Sequence, residues 1–333
     1  MTTTRDTVLS GMQPSGALHI GNWLGALENW VTMQDVYESY FMVADYHSLT
    51  TGYHDTSALP GLVFQMVVDW LAAGLDPHRS IIFRQSDVPQ HAELHLLLSM
   101  ITPLGWLERV PSYKEKLKEL AQRDIHTYGF LGYPVLMSSD ILLYRARKVP
   151  VGQDQVPHVE LTREIVRRFN GLYGEVLPEP EAILTEAKVL PGLDGKKMSK
   201  SYGNTLALGE SANDVSQKIR VMMTDPARIR KSDPGHPDVC PVFSLHKVFT
   251  APERVSEIDV ACRSAQIGCV DCKAILAGEI NARLDPIREE RVRWEHQPEQ
   301  VQEILHQGAI KAREAAQETL SLVKDAMHLT TLE

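Results

Sequence analysis

The chain has 333 residues, 43% of them hydrophobic, and a formal net charge of −9. That length allows two domains at most, no apolar run approaches the ~20 residues of a membrane span, and the start, MTTTRDTVLSGM, lacks the basic-then-apolar pattern of an export signal. An acidic chain is not built to coat nucleic acid nonspecifically, because phosphate binding rests on clustered Lys and Arg. The expected location is therefore the cytoplasm.

In chain order, short apolar runs predict strands near Val8–Gly11, Tyr40–Ala44 and Ile81–Gln85. A turn punctuated by Gly11, Gly16 and Gly21 follows the first run and opens into a helix near Ile20. Ser57–Ala73 carries apolar residues at helical spacing, with Gly74 as its stop. A further helix is expected to open near Pro134, and another, Val156–Phe169, follows a strand that ends at a GQDQ turn. Pro191–Asn204 is polar and rich in Gly and Lys, and reads as a mobile loop. From Ser211 the strand signal disappears, and helices are predicted over Ala212–Met223, Cys272–Trp294 and Pro298–Met327. Strand–helix alternation followed by helices alone predicts an α/β fold, a Rossmann-type doubly wound parallel sheet plus an all-helical C-terminal domain. The expected division is 1–205 and 206–333, with the last helix returning toward the sheet.

Two motifs carry phosphate chemistry. The segment PSGALHIGN lies at a strand-to-helix turn, where backbone N–H groups and the positive helix end face an anion. Far downstream, KMSKS places Lys197 and Lys200 three apart on a glycine-rich loop, where they can close over a leaving pyrophosphate. Together the two motifs resemble the signatures of class I aminoacyl-tRNA synthetases. The resemblance implies that His19 and Asn22 act at the α-phosphate, and Lys197 and Lys200 at the β and γ phosphates. Many class I enzymes have a second His where this chain has Asn22. Lys116 matches a phosphate-contacting lysine of the tryptophanyl branch, although a surface helix lysine reads equally well there. Further ATP contacts implied are Gln13, Pro14, Ser15, Gly21, Leu190, Met198, Ser199 and Ser201, with Gly152, Gln153 and Asp154 toward the ribose. Most relatives have Glu where this chain has Gln153.

Residues 128–170 narrow the match. Tyr133, Met137 and Asp140 share one helical face, and an acid on an apolar face needs a partner; backbone donors or an Arg would satisfy it. The stretch resembles the amino-acid pocket of tryptophanyl-tRNA synthetases. The resemblance implies that Asp140 accepts the indole N–H, Tyr133 and Gln155 hold the α-amino group, Met137 packs on the ring and His47 lines the pocket. ATP with Mg²⁺, L-tryptophan and tRNA(Trp) are then the expected ligands, and a homodimer without membrane contact the expected assembly. A tyrosyl-tRNA synthetase, a small-molecule ligase with a similar phosphate motif and a non-catalytic regulator are the alternatives.

All four cysteines, Cys240, Cys262, Cys269 and Cys272, fall in the second half. Clustered thiols in a reducing compartment suggest a metal or a cluster rather than disulfides. The spacing resembles that of tryptophanyl-tRNA synthetases with a [4Fe–4S] cluster, zinc or no metal remaining as alternatives. Basic residues group at Arg163, Arg167 and Arg168, at Arg220, Arg228, Arg230 and Lys231, and at Arg288, Arg291 and Arg293. Each group reads first as a solvated helix face, while Arg228, Arg230 and Lys273 beside the cysteines suggest an anticodon-facing site.

Overall fold

The computed structural model describes residues 5–119, 125–184 and 190–329. Its elements run β1 (Thr7–Met12), α1 (Ile20–Asn22), a π turn (Trp23–Leu27), α2 (Glu28–Val36), β2 (Glu38–Val43), α3 (Asp45–Gly52), α4 (Leu59–Ala72) and β3 (Ser80–Arg84). Next come α5 (Gln90–Ser99), α6 (Leu104–Leu107), α7 (Pro111–Glu119), α8 (Tyr128–Leu143), β4 (Lys148–Val151), α9 (Val156–Tyr173) and β5 (Glu181–Leu184). The remainder is helical, with α10 (Ala212–Val221), α11 (Pro241–Phe249), α12 (Pro252–Arg263), α13 (Cys269–Glu295) and α14 (Pro298–Ala326).

The strands form one parallel sheet in the order β3-β2-β1-β4-β5. Parallel strands need both faces covered, and alternate side chains serve two cores. Phe41, Val43 and Ile82 enter one, with Trp30 of α2 and Trp70 of α4. Leu9, Tyr40, Met42 and Phe83 enter the other, with Leu94 of α5, Phe169 of α9 and Ala312 and Ala316 of α14. Trp30 stacks on Phe41 at 4.8 Å and meets Trp70 edge-on at 5.2 Å. The first core continues through Leu190, Met198 and Leu206 into Val215, Leu276 and Ile280.

The predicted strands coincide with β1, β2 and β3, and the helix expected over residues 57–73 is α4, ended by Gly74 at φ +106°. The helices expected after Ser211 are α10, α13 and α14, and no strand follows Leu184 among the described residues. Sequence reading missed β5, α11 and α12. It also misplaced α8, which opens not at Pro134 but at Tyr128, where Thr127 Oγ1 accepts the Phe130 N–H at 3.2 Å. Pro134 lies inside this helix, buried. Interior proline costs ~3 kcal/mol, which burial of Phe130, Tyr133 and Val135 around it offsets.

Helix α14 lies against β3 so closely that a Cβ on Gly308 would overlap the carbonyl of Ile82. Arg288 and Arg291 are tied inward to Glu210, Asn281 and Asp69, while Arg163 and Arg167 pair with Glu179. These arginines are engaged with the protein itself.

Candidate active site

The turn after β1 is locked by reciprocal capping. His19 Nδ1 accepts the N–H groups of Gly21 at 3.1 Å and Asn22 at 3.3 Å, and Asn22 Oδ1 accepts the His19 N–H at 3.2 Å. Glycine is required at position 21, since a Cβ would sit 2.9 Å from the imidazole ring. Burial, then the charge of Lys200, pushes the His19 pKa down to about 4. The ring is therefore neutral near pH 7, and with Nδ1 occupied as an acceptor its Nε2–H is a donor. The helix then widens into the π turn, a feature common at functional sites, and Gly25 and Ala26 of that turn line a cavity.

The second motif is joined to the first by backbone. Ile20 donates to the Leu206 carbonyl at 3.0 Å and Leu208 to the Leu18 carbonyl at 2.9 Å. Lys200 Nζ donates to the Gly16 carbonyl at 2.8 Å, which brings its charge to the turn. Burial lowers the Lys200 pKa, against the pull of Asp69. The loop's shape rests on buried Asn204, whose Oδ1 accepts the Ser199 N–H at 2.8 Å and whose Nδ2 donates to Asp194 at 2.7 Å and to the Lys197 carbonyl at 3.2 Å. Met198 and Leu190 are buried and joined by a backbone bond of 2.9 Å, whereas Lys197 is exposed. Sequence reading missed Asn204, Asp194 and Asp69. Asp69 is buried, accepts the Leu18 N–H and pairs with Arg291. Burial raises its pKa to about 6 against the pull of Arg291.

A cavity of about 360 Å³ opens where β1 and β4 diverge, at the C-terminal ends of the strands, the place where this sheet order binds ligands. Its lining includes Gln13, His47, Tyr133, Met137, Asp140, Gly152 and Gln155. All five residues expected to hold the amino acid thus face one space. Gln153 and Asp154 are exposed in a 3-10 turn beside it, and Gln155 Nε2 donates to Asp154 at 2.8 Å. The Tyr133 hydroxyl meets Ser112 Oγ at 2.7 Å, and Ser112 meets His158 Nε2 at 2.7 Å.

Asp140 is 3% exposed. Among the described residues its partners are neither backbone donors nor an Arg. Oδ2 meets His47 Nε2 at 2.7 Å, and Oδ1 meets His91 Nδ1 at 2.6 Å and Gln85 Nε2 at 2.8 Å. Burial opposes its charge, but His47 and His91 outweigh burial and hold the carboxyl well below the usual range. An ionised acceptor thus stands in the wall of a largely apolar cavity.

His19, Asn22 and Lys200 form one cluster, and Asp140, Tyr133, Met137, Gln155 and His47 another, with the end of β1 reaching the second through Gln13. The expectations on the side chains of Lys116 and Ser201 lie outside the described residues. The cysteines are free thiols on neighbouring segments: Cys240 caps α11, Cys262 ends α12, and Cys269 and Cys272 open α13. Arg228 Nη1 lies 3.8 Å from Cys262 Sγ and 3.9 Å from Cys269 Sγ. Arg228 is thus turned toward the thiols, and Lys273 donates to the Arg220 carbonyl. No group of three or more His, Cys, Asp or Glu that could hold a metal ion occurs among the described residues.

This sheet, the capped turn after β1 and the lysine loop joined to it define a class I synthetase. The family of tRNA synthetases class I (W and Y) matches residues 1–285, and the chain belongs to it. Within that family it belongs with the tryptophan–tRNA ligases. It is 52% identical to the Tryptophan--tRNA ligase of Thermotoga maritima over 97% of this chain and 99% of that one, and 42% identical to that of Ralstonia nicotianae over 98% and 99%. A solved structure of tryptophanyl-tRNA synthetase from Campylobacter jejuni, complexed with ADP and tryptophan, superposes with a TM-score of 0.88 at 36% identity, covering 97% of this chain and 99% of that one. A tyrosyl-tRNA synthetase from Archaeoglobus fulgidus shares the fold, with a TM-score of 0.66 at 20% identity over 87% of this chain and 91% of that one.

Proposed function

We propose that the two clusters divide the work of a tryptophan–tRNA ligase. The enzyme joins L-tryptophan to AMP and passes it to tRNA(Trp). A tryptophan carboxylate oxygen attacks the α-phosphorus of ATP, which enters with its magnesium, and the bond to pyrophosphate breaks. A hydroxyl of the terminal tRNA adenosine then attacks the activated carbonyl, and AMP leaves. Asp140 accepts the indole N–H, Met137 packs on the ring, His47 lines the pocket, and Tyr133 and Gln155 hold the α-amino group. His19 Nε2–H and the Asn22 amide donate to the α-phosphate, while Lys197, Lys200 and Lys116 oppose the charge gathering on pyrophosphate. Gly152, Gln153 and Asp154 meet the ribose. Gln13, Pro14, Ser15, Gly21, Leu190, Met198, Ser199 and Ser201 complete the ATP contacts.

The observation that carries this reading is the ionised Asp140 in an apolar wall, which suits a ring bearing one N–H. ATP–pyrophosphate exchange with tryptophan and tyrosine in parallel tests it. Exchange with tryptophan alone is expected, and exchange with tyrosine alone would overturn the pocket assignment.

The cytoplasm is the proposed location; no helix among the described residues is long and apolar enough to cross a membrane. Residues 1–205 are proposed to carry the catalytic chemistry and 206–333 the anticodon contact. A homodimer is supported by the exposed Leu96, Met100, Leu104 and Tyr128 along α5, α6 and the start of α8. The four cysteines are proposed to hold a [4Fe–4S] cluster that ties α11, α12 and α13 together. Burial and then the neighbouring cysteines push the Cys272 thiol up to about 12; to ligate as thiolates the four would need positive charge beside them, which the iron would supply, with Arg228 Nη1 near Cys262 and Cys269 adding to it. Iron and labile sulfide in equal amounts in anaerobically purified protein is the expected analysis; zinc alone, or neither metal, would overturn the assignment.

A further inference from the structure

Asp140 is held from behind by side chains that do not line the cavity. Gln85, in the turn after β3, and His91, in the first turn of α5, are both 0% exposed. Each has only one useful orientation. Gln85 Oε1 accepts the Tyr46 N–H at 3.1 Å, which turns Nε2 toward Asp140. His91 Nε2 lies 2.8 Å from the Tyr144 hydroxyl, and Tyr144 stacks on Tyr40 at 4.5 Å. Burial and nearby Asp140 keep the Tyr144 phenol protonated, so its hydrogen points into Nε2. Nδ1 must then carry the hydrogen that Asp140 accepts.

The consequence is an asymmetric carboxylate. Oδ1 takes two donors, while Oδ2 takes one, from His47, itself a cavity residue. A carboxylate oxygen can accept two, so Oδ2 keeps room for one donor from a ligand.

We infer that Gln85, His91 and Tyr144 are positioning residues that fix the enzyme's preference for a ring N–H. The inference rests on the proposed contact between Asp140 and the indole. They occupy Oδ1 with donors, so Asp140 can neither rotate nor offer a hydroxyl, and Oδ2 stays an acceptor. Without the Tyr144 hydroxyl, His91 is free to carry its hydrogen on Nε2 and turn a lone pair toward Oδ1. Asp140 then relieves the repulsion by rotating or by taking a proton, and either change spoils the acceptor. The Gln85 amide acts in parallel, through a shorter chain.

The test is pyrophosphate exchange with tryptophan and with 3-benzothienylalanine, in which sulfur replaces the ring N–H, on wild type, Tyr144→Phe and Gln85→Met. Phenylalanine at 144 keeps the ring stack and removes only the hydroxyl. Sites built to hydrogen-bond a substrate group reject analogues lacking it by about 10⁴, and each variant is expected to lower that ratio by about tenfold, the worth of one charge-assisted hydrogen bond. The loss should appear as a raised KM for tryptophan, with the KM for the analogue and for ATP unchanged. An unchanged ratio, or equal loss with both amino acids, would overturn the inference while leaving the Asp140 contact standing. Wild type that uses both amino acids equally well would overturn that contact and the inference with it. Should one variant fail to fold, the other decides.

Discussion

The proposed ring end and the proposed phosphate end of the site are made by different means. At the ring end, side chains on packed helices bond to one another out of water: Asp140 on α8, His91 on α5, His47 on α3 and Tyr144 just beyond α8. At the phosphate end, two loops distant in sequence are joined by backbone bonds, Ile20 to Leu206 and Leu208 to Leu18, and by one lysine resting on a carbonyl. Buried side-chain networks give a fixed acceptor. Loops joined through backbone give a surface that changes shape while keeping its partners, which suits charge that appears only during reaction. Lys197, exposed on its loop, has the room to move that its proposed contact with pyrophosphate needs.

This contrast sharpens into unequal responses to mutation. Removing a donor to charge that develops in the transition state costs about 10²–10³ in rate, so Lys200→Ala is expected to lower kcat for pyrophosphate exchange by that factor and leave the tryptophan KM within about twofold. A matching rise in KM would erase the division between the two ends. Asp140→Asn should do the reverse, raising the tryptophan KM by about 10-fold to 100-fold, the cost of an unmade buried bond to a charged group, with kcat at saturation little changed. A selective loss of kcat would place Asp140 in the chemistry instead.

A smaller effect concerns pH. His19 is held down at about 4 by burial and then Lys200, so between pH 4 and 6.5 the unfolded chain binds a proton that the folded chain refuses, and native stability falls as pH drops through that window. Asp69 acts in the opposite sense. Raised to about 6 by burial, it is protonated in the fold but ionised in the unfolded chain between pH 3.8 and 6, which favours the fold at the acidic end. His19→Asn keeps a capping side chain and removes only the first effect. Between pH 7 and 4.5 the Tm of wild type should therefore fall further than that of the variant, by about 3 °C. Equal falls would show that His19 is not desolvated by the turn.

Legibility in the sequence followed locality. The strands β1, β2 and β3 announce themselves as apolar runs closed by turns, and the turn after β1 and the lysine loop are contiguous motifs. Tyr133, Met137 and Asp140 could be placed on one face because helical spacing is local. The partners of Asp140 could not, since Gln85 and His91 lie 55 and 49 positions away and a histidine in a helix carries no signal of what it meets. Asn204 was hidden for a related reason, because its role is to bond the backbone of its own loop. Strand β5 is short and partly exposed at the sheet edge, so it lacks the apolar run that marks a buried parallel strand. Pro134 misled because its cost is local while the burial that offsets it is not.

The tight fit of Gly308 against Ile82 bears on how the protein is made. The helix that covers β3 begins at Pro298, more than 200 positions after the strand ends at Arg84. A ribosome adding about 5–20 residues per second therefore finishes the strand at least ten seconds before it completes the helix that packs on it. During this interval the core around Phe83 lacks Ala309, Ala312 and Ala316, so its packing is completed only when nearly the whole chain has been made.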